Sequence, residues 1–196
     1  DVLGNHFKDF WEYDPVTNLW TQKADLGGLA RASAAAFSIG SKGYVGPGGT
    51  SSIFIKDFWE FDPALNTWTQ KSDYAGYAEY GSVGFSIDNK GYLGTGVSST
   101  DFWEYDPISN IWTQKADFGG VGRDNAVGFS IGNNGYLGTG FDWISSLAKD
   151  FWVYEKSTNT WSKKADFGGT ARYSAVGFTI GDNGFIGLGY DGSYLK

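Results

Sequence analysis

The stretch 101–112 reads DFWEYDPISNIW, and related strings begin at Asp9, Asp57 and Asp150. In each string a second tryptophan follows the Asp-Phe-Trp triplet at the same distance, so the pattern recurs about every 40 to 50 residues. A period of this size indicates units that bury their apolar surface only by stacking on one another. The sequence therefore predicts one domain, 1–196, with an overhang at 1–8 and four repeats at 9–56, 57–100, 101–149 and 150–196.

Each repeat contains four strand-like runs, which in the third repeat are 101–105, 111–115, 126–131 and 136–140. In this third repeat an Asp-Pro-x-x-Asn turn joins the first two runs and an Asn-Gly turn joins the last two, which is typical of β-hairpins. In the third run bulky residues alternate with small ones, so the bulky face of one sheet can pack on the small face of the next. Abundant glycine and aromatic residues, without helical periodicity, predict an all-β fold.

The composition excludes several classes of protein and site. The chain has no cysteine, so disulfides, thiolate metal sites and cysteine nucleophiles are excluded. The net charge of −7 is dispersed, which argues against a nucleic acid partner, and no apolar run is long enough to predict a membrane span. The chain starts with Asp1 instead of methionine and lacks cysteine, which favours a secreted or cell-surface location, with a cytoplasmic one left open.

Four short antiparallel strands in each repeat describe a propeller blade. The recurring residues are Tyr13-Asp14-Pro15, Asn18, Trp20 and the glycine-rich strand 43–46. On these residues the chain resembles the kelch-repeat β-propellers, of a divergent, bacterial type, because the double glycine of the kelch pattern is present only at 48–49. The resemblance implies that the third run of each repeat is the innermost strand of a blade and that the second, tryptophan-bearing run is the outermost.

Under this resemblance the chain begins with two outer strands, 9–13 and 19–23, and ends with two inner strands, 174–180 and 185–189. The N-terminal pair is predicted to complete the C-terminal blade, which closes a ring of four blades and removes open sheet edges. A monomer is favoured. Because kelch rings more often have six or seven blades, a fragment of a larger propeller and two chains sharing one ring remain alternatives.

The repeats differ most in the long loops on one face of the predicted disc, where we expect any partner to bind. The candidate contact residues in these loops are Phe54, Phe141, Trp143 and Tyr190. Trp143 is the one tryptophan outside the repeat pattern, so it is the best single candidate for a partner contact. The alternative interpretation is that Trp143 forms a lid over an aromatic core.

Polar residues also precede each inner strand, where they would surround the mouth of the central channel. They are Arg31, Glu79, Tyr80, Arg123, Asp124, Arg172 and Tyr173. In one interpretation the arginines pair with Glu79, Asp25, Asp117 or Asp166 and tie adjacent blades together. In the other, they hold a small anionic or carbohydrate-like ligand.

No catalytic residue, cofactor or metal site is predicted. The string 128–132, GFSIG, matches a nucleophile elbow but lies within a recurring strand, and the only histidine is His6. The sequence therefore predicts a non-enzymatic scaffold that presents a variable loop face to a protein or glycan partner. Since some kelch-like propellers act on sugars, such as the sialic acid mutarotases, a sugar-active enzyme that uses charged residues at the channel mouth is the alternative.

Overall fold

The computed structural model describes residues 6–50, 52–77, 79–144 and 146–193, so parts of the overhang and of the last loop lie outside it. Within these ranges there is no helix, and so none that could cross a membrane. The strands are β1 (Phe10–Asp14), β2 (Leu19–Lys23), β3 (Ala36–Ile39), β4 (Lys42–Val45), β5 (Gly48–Gly49), β6 (Phe54–Ile55), β7 (Phe58–Asp62), β8 (Thr67–Lys71), β9 (Val83–Ile87), β10 (Lys90–Gly94), β11 (Phe102–Asp106), β12 (Ile111–Gln114), β13 (Val127–Ile131), β14 (Asn134–Gly138), β15 (Phe141–Asp142), β16 (Ser146–Leu147), β17 (Phe151–Glu155), β18 (Thr160–Lys163), β19 (Val176–Ile180) and β20 (Asn183–Gly187).

The strands form three complete antiparallel blades, each with four strands. The first blade is β3-β4-β7-β8, the second is β9-β10-β11-β12, and the third is β13-β14-β17-β18. Two further pairs stand alone as the N-terminal hairpin, β1-β2, and the C-terminal hairpin, β19-β20. Two small hairpins, β5-β6 and β15-β16, lie within the long loops of the first and third blades.

The predicted strands are present, but the last strand of each repeat starts earlier than its sequence suggests. In the third blade Ile131 pairs with Asn134, so Gly132 and Asn133 alone form the turn. Gly132 has a φ of 55°, as a tight two-residue hairpin turn requires. The strand ends at Gly138 because Thr139 and Gly140 adopt left-handed conformations. The Asn-Gly pair therefore begins this strand and does not form its turn.

In each of the three complete blades, the tryptophan and asparagine of the outer hairpin attach the blade to the hairpin or blade that precedes it. Trp112 Nε1 donates to the carbonyl of Ser72 at 3.0 Å, and Asn110 Oδ1 accepts the Ser72 amide at 2.9 Å. The same pair of bonds joins Trp161 and Asn159 to the backbone of Ala116. The recurring tryptophans and asparagines are thus parts of the scaffold.

Aromatic side chains of one blade pack against glycine positions of the next blade, as the alternation of bulky and small residues predicts. A Cβ atom added at Gly135 would overlap the ring of Phe85, and one at Gly184 would overlap the ring of Phe129. Rings from neighbouring blades fill the rest of each interface, with Phe85, Tyr92, Phe102, Phe118 and Tyr154 in one buried cluster. Close contact of this kind requires glycine in the receiving strand.

The four-bladed closure that the sequence predicts is not formed in the structure. In the described residues β1 pairs only with β2, and β20 pairs only with β19. The inner strands contact one another in the row β3, β9, β13 and β19, and no contact joins β19 to β3. In the described residues β1-β2 and β19-β20 are therefore separate two-stranded sheets.

Candidate functional site

The guanidinium group of Arg123 is buried in the scaffold of the third blade. The residue is 1% exposed, and its Nη1 and Nη2 atoms both contact the Asp150 carboxylate, with 3.0 Å between Nη2 and Oδ2. Further bonds run to the carbonyls of Val121 and Thr139, and the group lies over the ring of Phe118. These contacts leave its donors directed into the blade and not towards the channel.

The other two arginines have the same orientation. Arg31 pairs with Asp57 of the first blade and donates to the carbonyl of Leu29 at 3.1 Å. Arg172 donates to the carbonyls of Thr170 and Leu188 at 3.0 and 2.9 Å. All three arginines are at most 9% exposed.

The arginine pairs differ from the ones that the sequence suggested. Their partners are aspartates of the Asp-Phe-Trp triplets, Asp57 and Asp150, and not Asp25, Asp117 or Asp166. Each pair lies within one blade, because the loop before an inner strand and the start of the third strand meet at the same end of the sheet. The pairs therefore join inner and outer strands of a blade instead of tying adjacent blades together.

Glu79 takes the arginine's position in the second blade and has another role. Its carboxylate accepts hydrogen bonds from the amides of Ser98 and Ser99 at 3.0 and 3.3 Å. The triplet aspartate of this blade, Asp101, instead accepts the amide of Tyr77 at 2.9 Å. Glu79 thus orders the loop 97–100.

An aromatic pocket lies on the variable loop face beside the third blade. It has a volume of about 210 Å³ and is lined by Asp124, Asn125, Phe141, Trp143 and Tyr173. The hairpin β15-β16 carries Phe141 and leads into Trp143, whose rings meet edge to face at 5.1 Å. Two backbone hydrogen bonds of 3.0 Å between Asp124 and Phe141 hold the pocket together. The side chain of Trp143 is largely exposed at the rim.

The polar residues of the aromatic pocket are held firmly. Asp124 is buried, and Asn125 has a left-handed φ of 49°, with its amide bonded to Gly81 and its carbonyl to Ser174. Burial raises the pKa of the Asp124 carboxyl above its ordinary value of 3.8; hydrogen bonds with the side chains of Asn125 and Trp143 oppose the rise, and the charge of Glu79 adds to it. The pocket therefore combines aromatic edges with a buried carboxyl group and an amide.

The remaining loop candidates lie in two places. Tyr190 packs against Tyr173, a residue of the aromatic pocket, with the ring centroids 5.6 Å apart. Phe54 packs edge to face against Tyr80 at 4.8 Å beside the first blade, and the Tyr80 hydroxyl donates to the carbonyl of Thr50. Phe54 and Tyr80 are not among the residues that line the aromatic pocket.

Small residues line the central channel between the inner strands. The channel cavity is about 240 Å³ and is bounded by Ala34, Ala35, Ala36, Ser82, Val83, Gly84, Ala126, Val127, Gly128, Ala175 and Gly177. None of these side chains carries a charge. The part of the chain that the structure describes also contains no cluster of three or more metal-binding side chains.

Comparison with known proteins supports the fold and leaves the family open. No protein-family model and no curated protein sequence matches this chain. Among solved structures the chain is similar to YjhT, with a TM-score of 0.81 and 17% identity over 93% of this chain and 66% of that one. The likeness supports an all-β, propeller-like fold, and the chain spans just under two thirds of YjhT. Kelch family membership and the number of blades stay predictions.

Asn125 is a pocket residue that the sequence analysis did not identify. It occupies the position of Ser33, Gly81 and Ser174 in the other repeats, and all four residues have left-handed φ values. Asparagine is one of the few residues that adopt the left-handed conformation readily, so its presence at position 125 is explained by the backbone alone and does not by itself indicate a site. An internal comparison at this position would have revealed it, because here the backbone requirement brings an amide to the pocket.

Proposed function

We propose that this chain is a non-enzymatic binding module whose aromatic pocket takes a sugar unit of a glycan. The observation that carries the proposal is the exposed Trp143 at the rim of a pocket that also contains the buried carboxyl group of Asp124. Recognition sites for small molecules commonly combine apolar walls with a few well-placed polar groups.

The chemistry of a sugar ring matches both parts of this pocket. A pyranose has an apolar C–H face, which packs on an aromatic ring, and hydroxyl groups, which need hydrogen-bond partners when they leave water. Asp124 and Asn125 offer both acceptors and donors. The volume of about 210 Å³ is below that of a typical drug-sized site, so it suits one ring of a longer glycan.

The charges favour a neutral glycan over an anionic one. Arg31 and Arg123 are occupied by ion pairs, and Arg172 by carbonyl groups of its own loops. The charge that acts on the Asp124 carboxyl of this pocket is acidic, since it belongs to Glu79. An anionic ligand would meet repulsion at this place.

The test is binding of defined neutral oligosaccharides, measured by saturation-transfer NMR and calorimetry. Binding should be lost in Trp143→Ala and reduced in Asp124→Ala. Tyr77→Ala serves as the matched control, because Tyr77 is an exposed aromatic residue that does not line the aromatic pocket. Equal binding by wild type and Trp143→Ala, or an equal loss in Tyr77→Ala, would refute the assignment of this pocket.

A sugar-active enzyme is the second candidate, and the raised pKa of Asp124 favours it. A carboxyl group that holds its proton at higher pH than usual suits general acid catalysis at a sugar oxygen. The same oligosaccharides report on this activity, because NMR follows the exchange of their anomers directly. Faster exchange with wild type than with Asp124→Asn would support the enzyme, whereas binding without faster exchange supports the module.

A further inference from the structure

An apolar cavity lies between the C-terminal hairpin and the third blade. It measures about 410 Å³ and is lined by Phe129, Tyr136, Phe151, Ala165 and Phe167, among others. The corresponding spaces beside the first and second blades are filled by the outer strands of the next blade. We call this cavity the terminal slot. The internal repeats therefore show what kind of segment it accepts.

The aromatic contacts in the two complete interfaces identify the side chains that would enter. In each, a phenylalanine contacts a tyrosine and a tryptophan of the next outer hairpin, with ring centroids 4.8 to 5.0 Å apart: Phe58 with Tyr105 and Trp112, and Phe102 with Tyr154 and Trp161. Phe151 has the same place in the terminal slot. On the N-terminal hairpin, Tyr13 and Trp20 correspond to the tyrosine and the tryptophan of these outer hairpins. Trp20 is 66% exposed, whereas its equivalent Trp112 is 9% exposed.

The hydrogen bonds between neighbouring blades also indicate how an outer hairpin would bind in the terminal slot. The residue bonded by the incoming tryptophan and asparagine is Ser72 in the first interface and Ala116 in the second. Ala165 corresponds to these residues and lines the terminal slot. On the N-terminal hairpin, Asn18 already accepts the Tyr13 hydroxyl at 2.8 Å, as Asn110 accepts that of Tyr105.

An ion pair is also divided between the two ends of the chain. In the first and third blades, the arginine before the inner strand pairs with the triplet aspartate of the same blade. Arg172 precedes the inner strand β19, and the blade of that strand lacks its outer pair in the described residues. Asp9 begins the outer strand pair β1-β2, which has no inner strands beside it in the described residues. The Asp9 carboxylate accepts a hydrogen bond from Trp11 Nε1, just as the Asp150 carboxylate accepts one from Trp152 Nε1. Asp9 and Arg172 are thus matching halves of one pair.

The pairing register follows from the complete blades. In the second blade Tyr92 lies opposite Glu104 and Leu93 lies opposite Trp103. The same register on β20 and β1 places Phe185 opposite Glu12 and Ile186 opposite Trp11. A shift by one residue would turn each side chain to the opposite face of the sheet.

We infer that the terminal slot receives the N-terminal hairpin of a second copy of this chain, so that two chains share one ring of eight blades. In the described residues the chain has three complete blades and two half blades, and its two terminal hairpins do not contact each other. A head-to-tail contact of this kind forms a closed ring or a filament. Two copies give eight blades, which is within the known range of propellers, whereas three copies exceed it.

The decisive experiment cross-links the predicted register in the full chain, which has no cysteine of its own. The double variant Glu12→Cys/Phe185→Cys should form a disulfide-linked species of twice the chain mass of 21.3 kDa under oxidising conditions. The matched control Glu12→Cys/Ile186→Cys should not cross-link, because its two side chains face opposite sides of the sheet.

Other outcomes of this experiment would overturn the inference. An intramolecular disulfide at monomer mass would show that the chain closes its own ring of four blades. A ladder of multimers would show a filament instead of a shared ring. A native monomer without any cross-link would show that the terminal slot takes a hairpin from outside this sequence.

A charge exchange tests the same joint by sedimentation. Asp9→Arg should weaken dimerisation roughly tenfold or more, because it places two positive charges at the joint. Asp9→Arg/Arg172→Asp should recover most of the affinity by restoring the pair in the opposite direction. Near-UV circular dichroism checks that each variant is folded. Unchanged dimerisation in folded Asp9→Arg, or no recovery in the folded double variant, would contradict the joint.

Discussion

Arg123 and Asp150 form a two-point ion pair inside the third blade, with the arginine almost completely buried and the aspartate also accepting Trp152 Nε1 at 2.7 Å. The same pairing of an arginine with the triplet aspartate occurs in the first blade, between Arg31 and Asp57. This ion pair joins the loop before the inner strand to the beginning of the third strand, so one charged contact positions these two strands relative to each other. The aspartate is therefore part of the scaffold and not of a ligand site.

Removing the aspartate of this pair should cost considerable stability. In Asp150→Ala the guanidinium of Arg123 stays buried without its partner, and we expect the free energy of unfolding to fall by about 3 to 5 kcal/mol. Chemical denaturation measures this difference. Asp166→Ala is the control, because its pair with Lys163 is exposed and should contribute less than about 1 kcal/mol. Similar losses in both variants would contradict the structural role of the buried pair.

The same pair should make stability depend on acid. Burial alone raises the pKa of the Asp150 carboxyl, but hydrogen bonds from Arg123 and Trp152 outweigh it and hold that pKa below its ordinary value of 3.8. A lowered pKa in the folded state stabilises the fold above the unfolded value and loses that effect as the pH falls through the folded value. The difference in unfolding free energy between wild type and Asp150→Asn should therefore shrink from neutral pH to about pH 2. A difference that is constant across this range would refute the assignment.

Substitution by alanine should have different effects at Gly91 and Gly43, which occupy equivalent positions in β10 and β4. Gly91 lies against the ring of Phe37, so Gly91→Ala should destabilise the fold by about 1 to 3 kcal/mol through overpacking. The atom nearest to a Cβ at Gly43 is the Phe61 Cβ at 3.8 Å, so Gly43→Ala should leave the folded chain nearly as stable as wild type. If two copies share a ring, Gly43 faces Phe178 of the second copy, and Gly43→Ala should weaken dimerisation. Thermal unfolding and sedimentation measure the two effects separately.

One position of the shared ring is more crowded than its internal equivalents. Gly128 and Gly177 receive the side chains of Val83 and Val127 from the preceding blade, and a Cβ at either glycine would overlap the valine. Ala36 occupies this position in the first blade, where it would meet Val176 of a second copy. Ala36→Gly should therefore tighten dimerisation, as sedimentation at several concentrations would show. Weaker dimerisation in Ala36→Gly would argue against contact between Ala36 and Val176.

The repeated sequence pattern was sufficient to predict the all-β fold and its antiparallel hairpins, whereas the count of four repeats stays a prediction. These features depend on short-range rules, namely side-chain alternation and turn-forming residues, which the sequence displays directly. The boundaries of the last strand in each repeat were less accurate. They depend on backbone conformations, such as that of Thr139, which residue type alone does not reveal.

The sequence by itself determined the repeated unit, the absence of cysteine chemistry and the positions at which the repeats differ. Only the tertiary structure decided which contacts the variable residues make. In the folded chain the Arg123 side chain points into the blade, and Asp124 and Trp143 lie together at one pocket. Such contacts between distant loops depend on how the strands are aligned. The tertiary structure also left the β1-β2 hairpin, which carries Trp20, unpaired with β20 in the described residues. Whether the two terminal hairpins pair depends on how whole blades are arranged in space, which is a long-range property that the pattern within a single repeat does not specify.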